Sequence, residues 1–101
     1  MILVRNVFQV QFGKSKEAVA LWMEGLAVQK RIGFNAKSTR LLTDLVGNYY
    51  TIVFEMTFES LAEFENAGKT IMAKKEWQDW YARIVPLTQS GHREIFNIVS
   101  E

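Results

Sequence analysis

Residues 49–58 read YYTIVFEMTF, and the alternation within this stretch decides the fold. Large apolar residues at every second position are typical of a β-strand that buries one face. One face carries Tyr50, Ile52, Phe54, Met56 and Phe58, and the other carries Tyr49, Thr51, Val53, Glu55 and Thr57. The stretch is predicted to be the best-defined strand of the chain.

The residues upstream predict two further strands. Residues 38–46 are expected to form a strand that joins the quoted one through a tight turn at Gly47-Asn48, a dipeptide that favours two-residue hairpins. Residues 2–12 alternate as well, and one face carries Ile2, Val4, Phe8, Val10 and Phe12. Asn6 is the one polar residue on that apolar face, so its surroundings matter for any function.

A helix is predicted between the first two strands. Ser15 is expected to cap it, because a serine oxygen can accept a hydrogen bond from a free N–H of the first turn. Apolar residues then recur at three- and four-residue spacings, at Ala18, Leu21, Trp22, Leu26 and Ile32. This spacing indicates an amphipathic helix with one buried stripe, and Gly33 is expected to end it.

A second helical region is predicted after the quoted strand. The sequence Ser60-Leu61-Ala62-Glu63 is a capping box, in which two side chains satisfy each other's backbone donors. The region extends to about Val85 and is expected to break at Gly68, giving a short helix and then a longer one from about Thr70. Its last part places Trp77, Trp80, Tyr81 and Ile84 on one side.

A fourth strand is predicted over residues 92–99, after Pro86 ends the helix. The order strand–helix–strand–strand–helix–strand has a weak two-fold pseudo-repeat of βαβ halves. We therefore predict an α+β, ferredoxin-like βαββαβ fold, a four-stranded antiparallel sheet with two helices on one face. No linker or low-complexity segment divides the chain, so residues 1–101 are expected to form one domain.

The composition excludes several classes of function. Basic and acidic residues nearly balance, 12 against 11, so no excess of positive charge is present to hold nucleic acid. There is no cysteine, which removes disulfides and thiol nucleophiles and suits the cytoplasm. No apolar run approaches the ~20 residues that span a bilayer, and the first residues lack the pattern of a signal peptide. A cytoplasmic protein without nucleic-acid or membrane partners is predicted.

The far side of the predicted sheet is too apolar for a monomer. Two helices cover only one face, yet the opposite face carries Leu3, Val7, Tyr49 and Val53. The second and fourth strands have apolar residues at both parities (Leu41, Leu42, Leu45 and Val46; Ile95, Phe96, Ile98 and Val99). A second copy would cover this surface, so a homodimer is predicted, with Arg5 and Glu55 expected to pair across neighbouring strands. The alternative is an exposed sheet with scattered apolar residues.

Two long segments carry a resemblance to a known superfamily. The hairpin TDLVGNYYTIVFEMTFESLAEFE (residues 43–65) and the ending KKEWQDWYARIVPLTQSGHREIFNIV (residues 74–99) resemble the dimeric α+β barrel proteins. Within that group the pattern is most similar to the NIPSNAP-like proteins, through a Trp-centred last helix followed by a Pro and a final strand. The resemblance implies two sheets that close a barrel between subunits, and a pocket in each subunit between sheet and helices.

The same superfamily includes cofactor-free antibiotic-biosynthesis monooxygenases and haem-degrading monooxygenases. The haem enzymes use an Asn on the first strand, and a Trp and a His on the second helix. Asn6 matches the first of these, but the second helical region contains no His. The only His of the chain is His92, which follows Gly91 at the start of the last strand. The sequence therefore departs from the haem enzymes at the residue that would bind the haem iron, and no cofactor is predicted.

Seven residues are candidates for a ligand-binding pocket: Asn6, Phe8, Trp22, Tyr50, Trp77, Trp80 and Tyr81. Asn6 either bonds to nearby backbone or points into a wet or ligand-filled cavity, because a buried amide without partners costs about 1–3 kcal/mol. The aromatic residues either pack as core or line a pocket for a flat apolar molecule. No catalytic residue is assigned, because His92 has only Glu94 near it. One His without clustered carboxylates predicts no metal site.

Two functions from different classes remain open. The first is a NIPSNAP-like dimeric barrel protein of undetermined biochemical role, which binds a small apolar or aromatic molecule or a protein partner. The second is a cofactor-independent monooxygenase that acts on an aromatic substrate. The residues alone do not decide whether the protein is an enzyme.

Overall fold

The strands assemble into one sheet, and the helices pack on one of its faces. The computed structural model describes all 101 residues. Its elements are β1 (Ile2–Val10), α1 (Ser15–Arg31), β2 (Ser38–Thr43), β3 (Thr51–Phe58), α2 (Leu61–Met72), α3 (Lys75–Ile84) and β4 (Thr88–Asn97), with a short 3₁₀ turn at Val85–Leu87. All neighbouring strands are antiparallel, in the order β2-β3-β1-β4. The predicted α+β, ferredoxin-like βαββαβ fold is confirmed, with the second helical region divided into two helices.

The hydrophobic core lies between the sheet and helices α1 and α3. The sheet contributes Ile2, Val4, Val10, Ile52, Phe54, Met56 and Phe58, which are the residues that the two-residue period places on one face. The helices contribute Ala18, Leu21, Trp22, Trp80 and Ile84. Gly25 allows α3 to pack closely on α1, because a Cβ there would lie 2.6 Å from the Trp80 ring. Trp80 is 3% exposed, and its Nε1 donates to the Leu21 carbonyl oxygen at 2.6 Å.

The connection between β2 and β3 is longer than predicted. β2 ends at Thr43 and β3 begins at Thr51, so a loop replaces the two-residue turn at Gly47-Asn48. The Asp44 side chain closes this loop by accepting a hydrogen bond from the Thr51 N–H at 2.9 Å, which ends the regular ladder. Tyr50, the last loop residue, has a φ of 59° and so cannot belong to a strand. Leu45, Val46 and Tyr49 are exposed in the loop and belong to neither face of the sheet.

The outer strands also differ from their predicted limits. β1 ends at Val10 rather than residue 12, because the Gln11 N–H bonds to the Leu87 carbonyl oxygen and the Lys14 N–H then bonds back to Gln11 in a turn. β4 begins at Thr88, before the predicted residue 92, and ends at residue 97 rather than 99. The earlier start follows from its pairing with β1, which continues as far as Val10 opposite Thr88.

The ends of α1 and α2 test three sequence signals. Ser60 caps α2 as predicted, since its Oγ accepts from the Glu63 N–H at 3.2 Å. Gly33, with a φ of 78°, lies just beyond the end of α1 and takes the left-handed conformation expected of it. The cap predicted at Ser15 was wrong, because Ser15 is already the first helical residue and Lys14 holds the cap position without a side-chain bond.

The break in the second helical region falls later than predicted. Gly68 lies inside α2, and the chain leaves the helix at Ala73 and Lys74, where Lys74 has an extended backbone. A helix-interior glycine costs only about 1 kcal/mol relative to alanine, which the surrounding packing offsets. As a result α2, with 12 residues, is longer than α3, with 10. None of the helices combines the length and apolar character needed to cross a bilayer.

The surface of the sheet turned away from the helices, called the far face below, carries a row of alternating charges. Arg40, Glu55, Arg5 and Glu94 lie side by side across the four strands, and we call them the charge row. Arg40 Nε donates to Glu55 Oε1 at 3.1 Å, Arg5 Nη1 lies 4.0 Å from Glu55 Oε2, and Arg5 Nε lies 3.8 Å from Glu94 Oε1. The predicted pairing of Arg5 with Glu55 is therefore present.

Apolar residues flank the charge row on both sides. Val53 is buried, while Leu3 and Val7 are half-buried. At the edges of the same face, Leu42 is 37% exposed and Phe96 is 48% exposed. The far face thus retains the apolar character that the sequence predicted, although with fewer residues than expected.

Candidate functional site

A cleft of about 770 Å³ separates the β1–β4 half of the sheet from helices α2 and α3. Six of the seven predicted site residues line it: Asn6, Phe8, Trp22, Trp77, Trp80 and Tyr81. Volumes of about 300–1,000 Å³ are usual for sites that bind small molecules. The fold therefore leaves a space of ligand size at the place where the predicted residues meet.

The seventh predicted residue, Tyr50, does not line this cleft. Its left-handed backbone lies in the loop before β3, and its ring packs against Phe12 with centroids 4.6 Å apart. Tyr50 instead borders a separate hollow near Ser15 and Asp44. The prediction assumed that β3 extends to Tyr50, and the loop conformation removes that residue from the sheet.

Asn6, which is buried, and Arg93, which is exposed, form a polar pair in the wall of the cleft. They lie directly opposite each other on β1 and β4, and Arg93 Nε donates to Asn6 Oδ1 at 2.7 Å. Asn6 is only 6% exposed, so this bond satisfies an amide oxygen that water would reach poorly. The two alternatives for Asn6 were a bond to backbone or a position in a cavity. The structure gives a position in the cavity wall with a bond to a side chain.

Aromatic rings form the rest of the inner wall. Trp22 stacks near Phe8 with centroids 5.4 Å apart and meets Trp80 edge-on at 4.8 Å. Trp77 stacks on Trp80 at 4.5 Å with an interplanar angle of 25°. Trp22 and Trp80 are buried and belong to the core, whereas Trp77 is half-buried and Tyr81 is exposed at the rim. The same cluster is therefore core on one side and cleft wall on the other.

Three of the cleft residues that the sequence did not predict bear on its chemistry. Arg93 was missed because the face of the sheet on which its side chain lies depends on the register of β4. The sequence placed the start of that strand at residue 92, next to Arg93. Phe64 of α2 lies under the Arg93 guanidinium, with 5.0 Å from the guanidinium carbon to the ring centroid. Gln29 follows Trp22 and Leu26 on the apolar stripe of α1, so a polar residue at that spacing was an available signal.

His92 does not contribute its imidazole to a catalytic group. It pairs with Val7, so its side chain has the parity of the far face, where Glu94 bonds to Arg5 rather than to His92. No group of three or more His, Cys, Asp or Glu side chains is placed to hold a metal ion.

The sheet order, the helices on one face and the aromatic cleft between them define the class of fold, an α+β, ferredoxin-like domain with a cleft between sheet and helices. A NIPSNAP domain protein from Burkholderia xenovorans has this fold, with a TM-score of 0.85 and 18% identity over 99% of this chain and 96% of that one. A NIPSNAP family protein from Agrobacterium tumefaciens matches with a TM-score of 0.84 and 21% identity, over 95% of this chain and 90% of that one.

The same fold occurs in an oxygenase. SnoaB from Streptomyces nogalater, a cofactor-independent oxygenase, matches with a TM-score of 0.74 and 15% identity, over 99% of this chain and 94% of that one. No protein-family model and no curated protein sequence matches the chain. The similarities establish a fold shared with NIPSNAP proteins and, at a lower TM-score, with an oxygenase.

Proposed function

We propose that the protein is a NIPSNAP-like binding domain that holds a small aromatic or apolar molecule in the cleft between sheet and helices. The observation that carries this proposal is the cleft of about 770 Å³ walled by Trp22, Trp77 and Trp80. Together with Phe8 these indoles give the cleft an apolar wall, and an aromatic ligand that packs against this wall removes apolar surface from water. The open rim at Tyr81 provides a route of entry.

The proposal includes a homodimer formed through the far face. Phe96 and Leu42 leave apolar surface at the edges of this face, and the charge row gives it a defined polar pattern. A second copy that covers this face leaves the cleft free, because the cleft opens on the opposite side of the sheet. We place this dimer in the cytoplasm, which suits a chain without cysteine.

The binding proposal is tested with N-phenyl-1-naphthylamine, a neutral aromatic probe whose fluorescence rises in apolar sites. We expect saturable binding with one probe per chain, together with quenching of tryptophan fluorescence. The blocking variant is Gly68→Phe, because Gly68 lines the cleft and has open space beside its Cβ position. The matched control is Ala62→Phe, on an exposed position of the same helix.

Probe binding should be lost in Gly68→Phe and kept in Ala62→Phe. Equal binding by both variants would place the probe elsewhere on the surface, and no binding by the unmodified protein would refute the site.

A second candidate function is a cofactor-independent monooxygenase, favoured by Asn6 in the wall of the aromatic cleft and by the fold shared with SnoaB. Without a cofactor, the substrate itself must supply the electrons. A CH₂ group flanked by two aromatic rings of the substrate would become a carbonyl: one atom of O₂ is retained in the carbonyl, and the other leaves with the two hydrogens as water. The test is O₂ consumption with such a substrate, compared between the unmodified protein and Asn6→Leu. Uptake that is unchanged in a folded Asn6→Leu variant would exclude this function for the cleft.

A further inference from the structure

We propose that the molecule bound in the cleft is an aromatic carboxylate, and that Arg93 binds its carboxylate group. This inference rests on the proposed binding function and names the class of ligand. It starts from the charges of the chain. Four of the five arginines, Arg5, Arg31, Arg40 and Arg83, each lie beside a carboxylate within the chain. Arg93 is the one arginine without a carboxylate partner.

The geometry of Arg93 leaves a defined set of donors for a ligand. Its Nε is already bonded to Asn6 at 2.7 Å, and its guanidinium lies against the Phe64 ring at 5.0 Å. These two contacts fix the orientation of the group, while its two terminal nitrogens have no hydrogen-bond partner in the chain. Two parallel N–H donors held in one plane match the two oxygens of a carboxylate.

The charges around the cleft also favour an anion. The charged side chains of its lining are Arg93, Lys69 and Glu65, so two positive charges and one negative charge give a formal net charge of +1. Glu65, the one carboxylate of the lining, forms no salt bridge, so it does not directly compensate the positive charge of Arg93 or Lys69. A single arginine beside mostly apolar walls suits one carboxylate on an aromatic body better than a densely charged phosphate ester.

Gln29 adds a second polar requirement. It lines the cleft from α1, is 5% exposed, and its Oε1 is buried without a hydrogen-bond donor in the chain. An unpaired buried acceptor costs about 1–3 kcal/mol, and a hydroxyl or N–H of a ligand would satisfy it. In this proposal the ligand carboxylate binds Arg93, and a hydrogen-bond donor elsewhere on the aromatic ligand binds Gln29 Oε1.

The test compares two ligands of equal shape that differ in charge, 2-naphthoate and 2-naphthamide, as competitors of N-phenyl-1-naphthylamine. We expect 2-naphthoate to displace the probe at a concentration at least about tenfold lower, as charge-assisted hydrogen bonds predict. In Arg93→Gln this preference should disappear while the neutral probe still binds. The matched control is Arg83→Gln, which removes a surface arginine bonded to Glu24 and should keep the preference.

The two proposals fail in distinguishable ways. If the probe binds but the unmodified protein shows no preference for 2-naphthoate, or Arg93→Gln retains the preference, the carboxylate inference is wrong and the binding function stands. If neither the probe nor either competitor binds, both proposals are wrong. Should Arg93→Gln fail to fold, as judged by circular dichroism, the comparison of the two competitors in the unmodified protein still decides.

Discussion

The two faces of the sheet solve the same burial problem in different ways. Toward the helices, Phe54 and Met56 of β3 are buried in one core with Trp22 and Trp80, next to the cleft that Asn6 and Arg93 line. On the far face, Val53 and Glu55 of the same strand are buried only by their neighbours across the sheet, and its edges remain exposed. The chain completes one core by itself and leaves the apolar edges of the other surface exposed.

The largest expected effect breaks the completed core. Trp80→Ala removes a buried indole that packs on Gly25 and bonds to the Leu21 carbonyl oxygen. We expect the free energy of unfolding to fall by about 3–5 kcal/mol, as for other buried aromatic residues replaced by alanine. Urea denaturation followed by circular dichroism measures this loss. Tyr81→Ala, at the exposed rim next to it, should cost less than about 1 kcal/mol. Equal losses would mean that the two rings are buried alike.

A smaller effect should separate the subunits without unfolding them. Phe96→Asp places a charge at the apolar edge of the far face. We expect the dimer dissociation constant to rise about tenfold to a hundredfold, since burying a phenylalanine contributes about 1.5–3 kcal/mol. Sedimentation velocity over a range of concentrations measures it, with Leu61→Asp on exposed α2 as the control. A protein that sediments as a single copy before any substitution would refute the dimer.

The smallest effect compares two glycines that each lie inside a helix, Gly25 in α1 and Gly68 in α2. Gly68→Ala should raise the free energy of unfolding by about 0.5–1 kcal/mol, because its Cβ would meet nothing within 4 Å. Gly25→Ala should instead lower it by about 1–3 kcal/mol, because its Cβ would overlap the Trp80 ring. Thermal melts of the two variants measure the difference. Changes of the same sign would show that the two sites are packed alike.

The sequence predicted those features that depend on periodicity. The alternation of β1 and β3 assigned the core residues to the correct face, and the helical spacing placed Trp22 and Trp80 each on the buried side of its own helix. Features that depend on single side-chain bonds were not predictable. The dipeptide Gly47-Asn48 alone favours a two-residue turn. The Asp44 carboxylate instead accepts the hydrogen bond of the Thr51 N–H, and a longer loop results.

The candidate site was predictable in its apolar part and not in its polar part. Aromatic residues at helical spacing share one side of a helix, so the sequence identified the aromatic part of the cleft wall at Trp22, Trp77, Trp80 and Tyr81. Arg93 could be assigned to the cleft only once the register of β4 against β1 was known, because a shift of one residue moves a side chain to the other face. The prediction for Tyr50 was wrong because its backbone is left-handed, so the residue lies outside β3 and its side chain does not follow the alternation of that strand.

The alternating order of the charge row has a consequence for symmetry. Across the sheet the signs run plus, minus, plus, minus, from Arg40 through Glu55 and Arg5 to Glu94. When this row is read in the opposite direction, each position carries the opposite sign. A twin sheet rotated by half a turn about an axis parallel to the strands would set every cation above an anion, whereas rotation about an axis along the row would oppose like signs. The pattern can therefore select one orientation between two identical surfaces.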